Sequence, residues 1–204
     1  GIDFDNTIVC YYDLLISIVT ELNWLKPPVP NSKKELRDRL RLIEGDDRKW
    51  QQLQALIYGP RIKEARIFDG FREFLSHGYN KGLKCFIVSH KTQYAFRDDT
   101  GIDLQHAALE LMKNNNLLGV GNSLFKRSDI FFESTREEKI RRVIDLGCTH
   151  FIDDLHEIFE HKEFPPDVKK ILFNPVKPSE KTQGLITLSS WNDISQYVLG
   201  ENIA

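Results

Sequence analysis

The first third of the chain carries apolar side chains at helical spacing, broken by a proline-rich stretch at residues 27–30. Just beyond the break, Ser32 and Glu35 have the three-residue spacing of a capping box, which marks the start of a helix. Residues 11–66 are therefore predicted to form an all-helical block, with helices at about 12–24, 33–43 and 47–58.

From residue 67 onwards, short apolar runs alternate with segments of helical periodicity. A second capping box, Thr135 with Glu138, predicts another helix start. Strands are predicted at residues 83–88, 130–132, 149–152 and 169–173. Helices are predicted at residues 71–76, 103–113, from 135 onwards, 155–161 and 191–199.

The chain starts with Gly1-Ile2-Asp3, which has the character of the end of a buried strand running into a turn. A central strand needs about five residues, so we expect the natural chain to begin upstream of Gly1.

Strands that alternate with helices predict an α/β fold. We expect a Rossmann-like, mostly parallel sheet with helices on both faces. The predicted core covers residues 1–10 and 67–204, and a small helical cap covers residues 11–66.

Composition narrows the class of protein. The 204 residues include 28 basic and 30 acidic side chains, for a net charge of −2, and 41% are hydrophobic, which excludes collagen-like, disordered and coiled-coil chains. The small net charge gives no general attraction to nucleic acid or to anionic membranes. No apolar run approaches the roughly 20 residues of a membrane-spanning helix. We therefore expect neither nucleic acid nor membrane as a partner.

Three cysteines, Cys10, Cys85 and Cys148, lie far apart and form no CxxC pair. An odd number at this spacing favours free thiols, and free thiols favour a reducing, cytoplasmic location.

Several residues able to carry chemistry lie at predicted strand ends, where α/β sheets bind their ligands. They are Asp3, Asp5, Thr7, Ser89, Asp153 and Asp154, joined by Lys139 at a helix start. Carboxylates that converge on one sheet edge repel one another unless a cation lies among them. Mg²⁺ is the expected cation, because the ligands are oxygens and no His or Cys is placed with them.

Four segments resemble the motifs of the haloacid dehalogenase-like (HAD) superfamily of aspartate-nucleophile phosphohydrolases. Asp3-Phe4-Asp5-Asn6-Thr7 resembles its first motif, DxDx[TV], after an apolar strand. Ser89, Lys139 and Phe151-Ile152-Asp153-Asp154 resemble the second, third and fourth motifs, in the same order. Residues 68–75 resemble the segment where such chains return from a helical cap. The resemblance spans residues 2 to about 160.

The resemblance implies catalytic roles for the matching residues. Asp3 would attack phosphorus and form an aspartyl-phosphate, while Asp5 would protonate the leaving oxygen and then deprotonate the hydrolytic water. Thr7 would orient Asp5, Ser89 would hydrogen-bond a phosphoryl oxygen, and Lys139 would neutralise the phosphate and Asp3. A dehalogenase displaces halide, which needs no proton, so an aspartate at position 5 favours oxygen leaving groups.

The resemblance also implies a Mg²⁺ site. Asp153 would bind the ion together with the Asp3 carboxylate and the Asp5 backbone carbonyl. Asp154 would lie next to these direct ligands. For Asp154 an alternative stays open, because Asp154-x-x-Glu157 also fits the start of a helix. The candidate substrate-binding residues are Asn6, Ser89, His90, Lys91 and Lys139.

The predicted function is Mg²⁺-dependent hydrolysis of a small phosphorylated metabolite, a sugar phosphate or a nucleotide, with the cap limiting access to the site. One alternative is a phosphomutase or phosphotransferase. A second is a catalytically silent module that binds a phosphometabolite, although the complete set of predicted catalytic residues argues against it. The sequence predicts no role for residues 119–132 and no oligomeric state.

Overall fold

A computed structural model describes residues 1–95, 101–119, 124–182 and 184–200, apart from the side chains of Glu44, Lys181 and Thr182. The chain forms two compact units. The first unit contains Gly1–Val9, Ile67–Lys91 and Asn115–Ala204, and the second contains Cys10–Arg66 and Thr92–Asn114.

The first unit is built on short strands. In chain order, the strands in the described residues are β1 (Val9–Cys10), β2 (Arg66–Ile67), β3 (Ile87–His90), β4 (Ile130–Glu133), β5 (His150–Asp153), β6 (Lys169–Phe173), β7 (Glu180–Thr182) and β8 (Leu185–Leu188). β3 pairs with β4 in parallel, and β5, β6 and β8 pair in parallel in that order. β7 runs antiparallel to β8 at the edge, and β1 pairs with β2 where the chain leaves the first unit and returns to it.

The first three residues join these strands into one sheet. The Ile2 N–H donates to the Phe86 carbonyl at 2.8 Å, and the Asp3 N–H donates to the Ile152 carbonyl at 2.9 Å. Ile2 forms parallel bridges to Ile87 on β3 and to Ile152 on β5. The segment therefore occupies the centre of the sheet, as expected of the strand that carries Asp3.

Helices of the first unit cover both faces of its sheet. In chain order, the α-helices in the described residues are α1 (Tyr12–Glu21), α2 (Lys33–Glu44), α3 (Arg48–Tyr58), α4 (Phe71–Asn80), α5 (Leu104–Asn114), α6 (Arg136–Asp145), α7 (His156–Phe159) and α8 (Trp191–Leu199), of which α1, α2, α3 and α5 belong to the second unit. Val88 and Phe151 pack with α6 and α7 in one buried cluster. Phe173 points to the other face, because side chains alternate along a strand, and there it contacts Trp191 of α8 with ring centroids 5.7 Å apart. The predicted fold class, a mostly parallel α/β sheet with a helical insertion, is confirmed.

The regular secondary structure in the described residues of the second unit is helical, apart from the strand residues Cys10 and Arg66. Helix α3 packs against α1, α2 and α5, and buries Trp50, Leu53 and Ile57. Residues 92–114, which the sequence analysis assigned to the core, belong to this unit because α5 packs against α3. That contact joins segments about 50 residues apart, so no local pattern reveals it.

Several element boundaries differ from those predicted. The strand predicted at 83–88 is β3 at Ile87–His90, because its pairing partners Ile2 and Ile130 become available only there. The helix predicted to reach residue 24 ends at Glu21, and Asn23 then adopts a positive φ of 52°. The pair β7 and β8 was not predicted.

Three further expectations concern the chain as a whole. All three cysteines are free, with Cys10 and Cys85 buried and Cys148 half-buried. Among the described residues, no helix is both long enough and apolar enough to cross a membrane. Within the segment 119–132, to which no role was assigned, residues 120–123 lie outside the described part of the chain.

Candidate active site

The predicted site residues meet at one edge of the sheet in the first unit. Parallel strands end at the same edge, so Asp3 at the end of the central segment lies between Ser89 on β3 and Asp153 on β5. All three side chains are buried, with Asp3 only 4% exposed.

Lys139 connects two of the buried carboxylates. Its ammonium donates to Asp3 Oδ1 and to Asp153 Oδ2, each at 2.6 Å, and the residue is 1% exposed. The Ser89 hydroxyl donates to the same Asp3 oxygen at 2.8 Å. Asp3 is thus held by two donors on one oxygen, while its second oxygen takes no part in these bonds.

Lys139 owes its place to the start of α6. Thr135 is the N-cap, its hydroxyl accepts the Glu138 N–H at 3.1 Å, and the Glu138 carboxylate accepts the Thr135 N–H at 3.1 Å. This capping box, predicted from the sequence, fixes the first turn of the helix. Lys139 is the next residue, and Ile140 and Val143 anchor the helix in the core.

Burial and neighbouring charges determine the protonation states of Lys139 and Asp153. Burial alone would lower the pKa of Lys139, but the carboxylates of Asp153 and Asp3 outweigh it and raise that pKa above its usual value. Burial raises the pKa of Asp153 to about 6, opposed by the Lys139 ammonium and reinforced by the charge on Asp3. The lysine therefore stays charged at neutral pH, and Asp153 is mostly ionised there.

Three carboxylates are placed to share a cation. Oxygen atoms of Asp3, Asp153 and Asp154 lie within 4.8 Å of one another. The Asp5 carboxylate is not one of the three. Asp5 was predicted to bind the ion through its backbone carbonyl, and that contribution stays a prediction. A cluster of oxygen donors alone is the ligand set that Mg²⁺ prefers, and the residues present fit that ion.

The helix-capping alternative for Asp154 is not observed. Helix α7 begins at His156 with Leu155 as its N-cap residue, and the Leu155 side chain makes no capping hydrogen bond. The Leu155 N–H instead donates to Asp153 Oδ1 at 2.9 Å, which helps to orient that carboxylate. Asp154 is half-buried beside the other two acids.

Asp5 has a cation of its own. The ammonium of Lys91 lies 3.1 Å from Asp5 Oδ1 and 2.8 Å from Asp5 Oδ2, with the lysine side chain only 3% exposed. Lys91 was predicted to bind substrate, and this ion pair was not foreseen. The sequence spacing could have indicated this pairing. Ser89 and Lys91 are two residues apart, and so are their partners Asp3 and Asp5.

Asn6 and Thr7 shape the turn that follows Asp5. Asn6 has a φ of 59°, a left-handed conformation that asparagine tolerates better than most residues, and its N–H donates to the Val9 carbonyl at 2.9 Å. The fully buried Thr7 hydroxyl makes no hydrogen bond within the described residues, while the Thr7 carbonyl accepts the Trp191 indole N–H at 3.1 Å. The roles predicted for Asn6 in substrate binding and for Thr7 in orienting Asp5 stay predictions.

His90 lies between Ser89 and Lys91 but is directed elsewhere. Its side chain is exposed, and its Nε2 lies 3.0 Å from the Ser134 carbonyl oxygen. The alternation of side chains along β3 separates it from its two neighbours. Its predicted role in substrate binding stays a prediction.

Comparisons with known proteins add evidence on the fold. No protein-family model matches the chain, and no curated protein matches it. Among solved structures, the chain is similar to a HAD-superfamily hydrolase from Ehrlichia chaffeensis, with a TM-score of 0.50 and 13% sequence identity over 98% of this chain and 94% of that one. Taken with the sheet order and the four ordered motifs, this similarity shows that the chain has the HAD-like fold.

Proposed function

We propose that this protein is a Mg²⁺-dependent phosphatase that hydrolyses small phosphomonoesters through an aspartyl-phosphate on Asp3. The observation that carries the proposal is the buried ammonium of Lys139, held at 2.6 Å from both Asp3 and Asp153. A buried lysine between two acids is costly to desolvate, so a hydrophobic residue would serve stability as well or better. The arrangement suits a site that must accept further negative charge.

The attack of Asp3 on a phosphate brings like charges together. In a partly dry site that approach costs several kcal/mol unless cations offset it. Lys139 supplies one positive charge next to the attacking carboxylate, and Ser89 supplies a hydroxyl donor on the same side. As the Asp3 oxygen bonds to phosphorus, the bond from phosphorus to the leaving oxygen breaks.

The charges of the site leave room for one divalent cation. The three carboxylates of Asp3, Asp153 and Asp154 exceed the ammonium group of Lys139 by two negative charges. Asp3, Asp153 and Asp154 would hold Mg²⁺. When bound, the ion supplies charge neutralisation and orientation of the transferring phosphoryl group.

Asp5 serves as the acid and base in this proposal. A protonated Asp5 donates its proton to the ester oxygen as that oxygen departs as an alcohol. The Asp5 carboxylate then takes a proton from the water that attacks the aspartyl-phosphate, which releases phosphate and restores Asp3. Each turnover returns both side chains to their starting state.

The burial of the nucleophile favours small substrates. Asp3 is 4% exposed, so the phosphoryl group must be the terminal part of a molecule slim enough to reach it. Sugar phosphates and nucleotides both meet this requirement.

Phosphate release from a panel of sugar phosphates and nucleotides, with Mg²⁺ or with EDTA, tests the proposal. We expect turnover of at least one phosphomonoester that EDTA abolishes and Mg²⁺ restores. Running the reaction in ¹⁸O-labelled water separates hydrolysis from transfer, since hydrolysis places solvent oxygen in the released phosphate. Transfer to another acceptor without that label, or binding without turnover, would contradict the hydrolase.

A further inference from the structure

Lys91 belongs to none of the four motifs, but its ammonium forms an ion pair with Asp5 of the first motif. The ammonium contacts both oxygens of one carboxylate, at 3.1 and 2.8 Å. The lysine side chain is 3% exposed, whereas the Asp5 side chain is 17% exposed and keeps contact with solvent. The carboxylate is therefore reachable while the cation that holds it is enclosed.

The backbone that carries Lys91 is fixed by the sheet. Lys91 directly follows β3, and its N–H donates to the Glu133 carbonyl of β4 at 2.9 Å, which continues the parallel ladder. The ammonium also lies 5.6 Å from the ring centroid of Phe4, a fully buried residue between the two motif aspartates. A charge enclosed in this way needs a fixed hydrogen-bond partner. The Asp5 carboxyl supplies one in either protonation state, because a protonated carboxyl still offers an acceptor oxygen.

The two lysines of the site pair with different aspartates. Lys139 bonds to Asp3 and Asp153, and Lys91 bonds to Asp5. Ser89 and Lys91 leave β3 on the same side, two residues apart, and face two aspartates that are also two residues apart. The nucleophile and the acid–base group are each held by a separate cation on a rigid element.

We infer that Lys91 is a positioning residue, which holds the Asp5 carboxyl where it meets the leaving-group oxygen. The inference rests on the proposed function and assigns Lys91 a role distinct from the predicted binding of substrate. A positioned acid matters most when the leaving group is a poor one. An alkyl phosphate loses an alkoxide that must be protonated as it departs, whereas p-nitrophenyl phosphate loses a stable phenolate that needs no proton.

The test compares kcat/KM for an alkyl phosphate and for p-nitrophenyl phosphate in wild type, Lys91→Met, Lys91→Gln and Lys91→Arg. kcat/KM reports the steps up to leaving-group departure, so later hydrolysis of the aspartyl-phosphate does not blur the comparison. General acid catalysis contributes about 10²–10⁴-fold. We expect Lys91→Met to lower kcat/KM at least about tenfold more for the alkyl phosphate, and Lys91→Arg to restore much of that difference.

An equal loss with both substrates would overturn the inference, since it would indicate that Lys91 contacts the phosphoryl group or only stabilises the fold. Thermal unfolding checks that each variant folds, and Lys91→Gln keeps a donor of similar size should Lys91→Met not fold. Lys162→Met, which removes an exposed lysine, is the matched control and should change neither rate. The alkyl phosphate is one that wild type hydrolyses in the metabolite panel. If wild type hydrolyses no member of that panel with Mg²⁺, the proposed function itself fails, and the Lys91 role fails with it.

Discussion

At the scale of single residues, the site is a set of buried charges that need one another. Lys139 is enclosed between Asp3 and Asp153, and removing the lysine would leave two buried carboxylates without their cation. Breaking such a buried pair typically costs about 3–5 kcal/mol. Because these charges depend on one another, we expect protonation of one carboxylate to change the affinity of the site for a cation.

The affinity for Mg²⁺ should depend on pH. Burial raises the pKa of Asp153 to about 6, so below that pH the folded protein binds a proton that Mg²⁺ must displace. We expect the affinity to be nearly constant above about pH 7 and to fall by about tenfold per unit well below pH 6. Calorimetric titration with Mg²⁺ between pH 5 and 8, in two buffers of different ionisation enthalpy, measures the affinity and the released proton. A flat profile, or one in which affinity rises as the pH falls, would contradict this assignment.

The identity of most site residues could be predicted from the sequence, but their partners could not. Asp3, Ser89 and Asp153 follow short apolar runs, and parallel strands bring such ends together. The bond between Lys91 and Asp5 joins residues 86 positions apart, and it depends on how β3 and the first segment align. Likewise, Asp154 fits a helix cap by spacing alone, and only the observed start of α7 at His156 removes that alternative.

At the scale of elements, the start of α6 delivers Lys139 to the site. The N-cap hydroxyl of Thr135 and the carboxylate of Glu138 satisfy backbone N–H groups that the first turn would otherwise leave without partners. Lys139 lies just one residue beyond this box. The cap therefore links a local sequence signal to the geometry of the site.

Replacing the cap residue should weaken the fold. We expect Thr135→Ala to lower the free energy of unfolding by about 0.5–2 kcal/mol, because the Glu138 N–H loses its acceptor. Urea denaturation followed by circular dichroism measures the change. Thr135→Ser keeps the hydroxyl and serves as the control, which should stay close to wild type. Equal stability of Thr135→Ala and Thr135→Ser would show that the cap contributes nothing.

Elements with local signals were predicted well, and elements defined by their partners were not. The helices α2 and α6 start directly after their predicted cap residues, Ser32 and Thr135, because a cap acts within one turn. The edge strands β7 and β8 were not predicted, and β3 begins four residues later than predicted. Strand ends depend on where a neighbouring strand offers hydrogen-bonding groups, which a single segment does not encode.

At the scale of the whole molecule, the fold brings together acidic residues from elements far apart in sequence. Asp3 lies in the first segment and Asp153 at the end of β5, so the acidic cluster exists only in the folded chain. A cation that binds this cluster therefore binds the folded state and not the unfolded one. Such a ligand stabilises the fold by mass action.

Mg²⁺ should raise the stability of the protein in a concentration-dependent way. At a Mg²⁺ concentration of 100 times Kd, we expect a gain of about 2.7 kcal/mol in the free energy of unfolding. Thermal unfolding across a Mg²⁺ series, repeated with EDTA, measures the gain. Asp154→Asn removes one ligand charge and should weaken the response. The assignment of the cluster as a metal site would be wrong if Tm were the same at every Mg²⁺ concentration in wild type.

Phosphate release by wild type and by Asp3→Asn in the presence of Mg²⁺ tests whether Asp3 is the nucleophile. Asparagine keeps the size of the side chain and can still accept hydrogen bonds from Ser89 and Lys139, but it cannot form the aspartyl-phosphate. We expect Mg²⁺-dependent turnover in wild type and a loss of at least about a thousandfold in the variant, with the fold retained. Turnover that survives in Asp3→Asn at a substantial fraction of the wild-type rate would contradict Asp3 as the nucleophile.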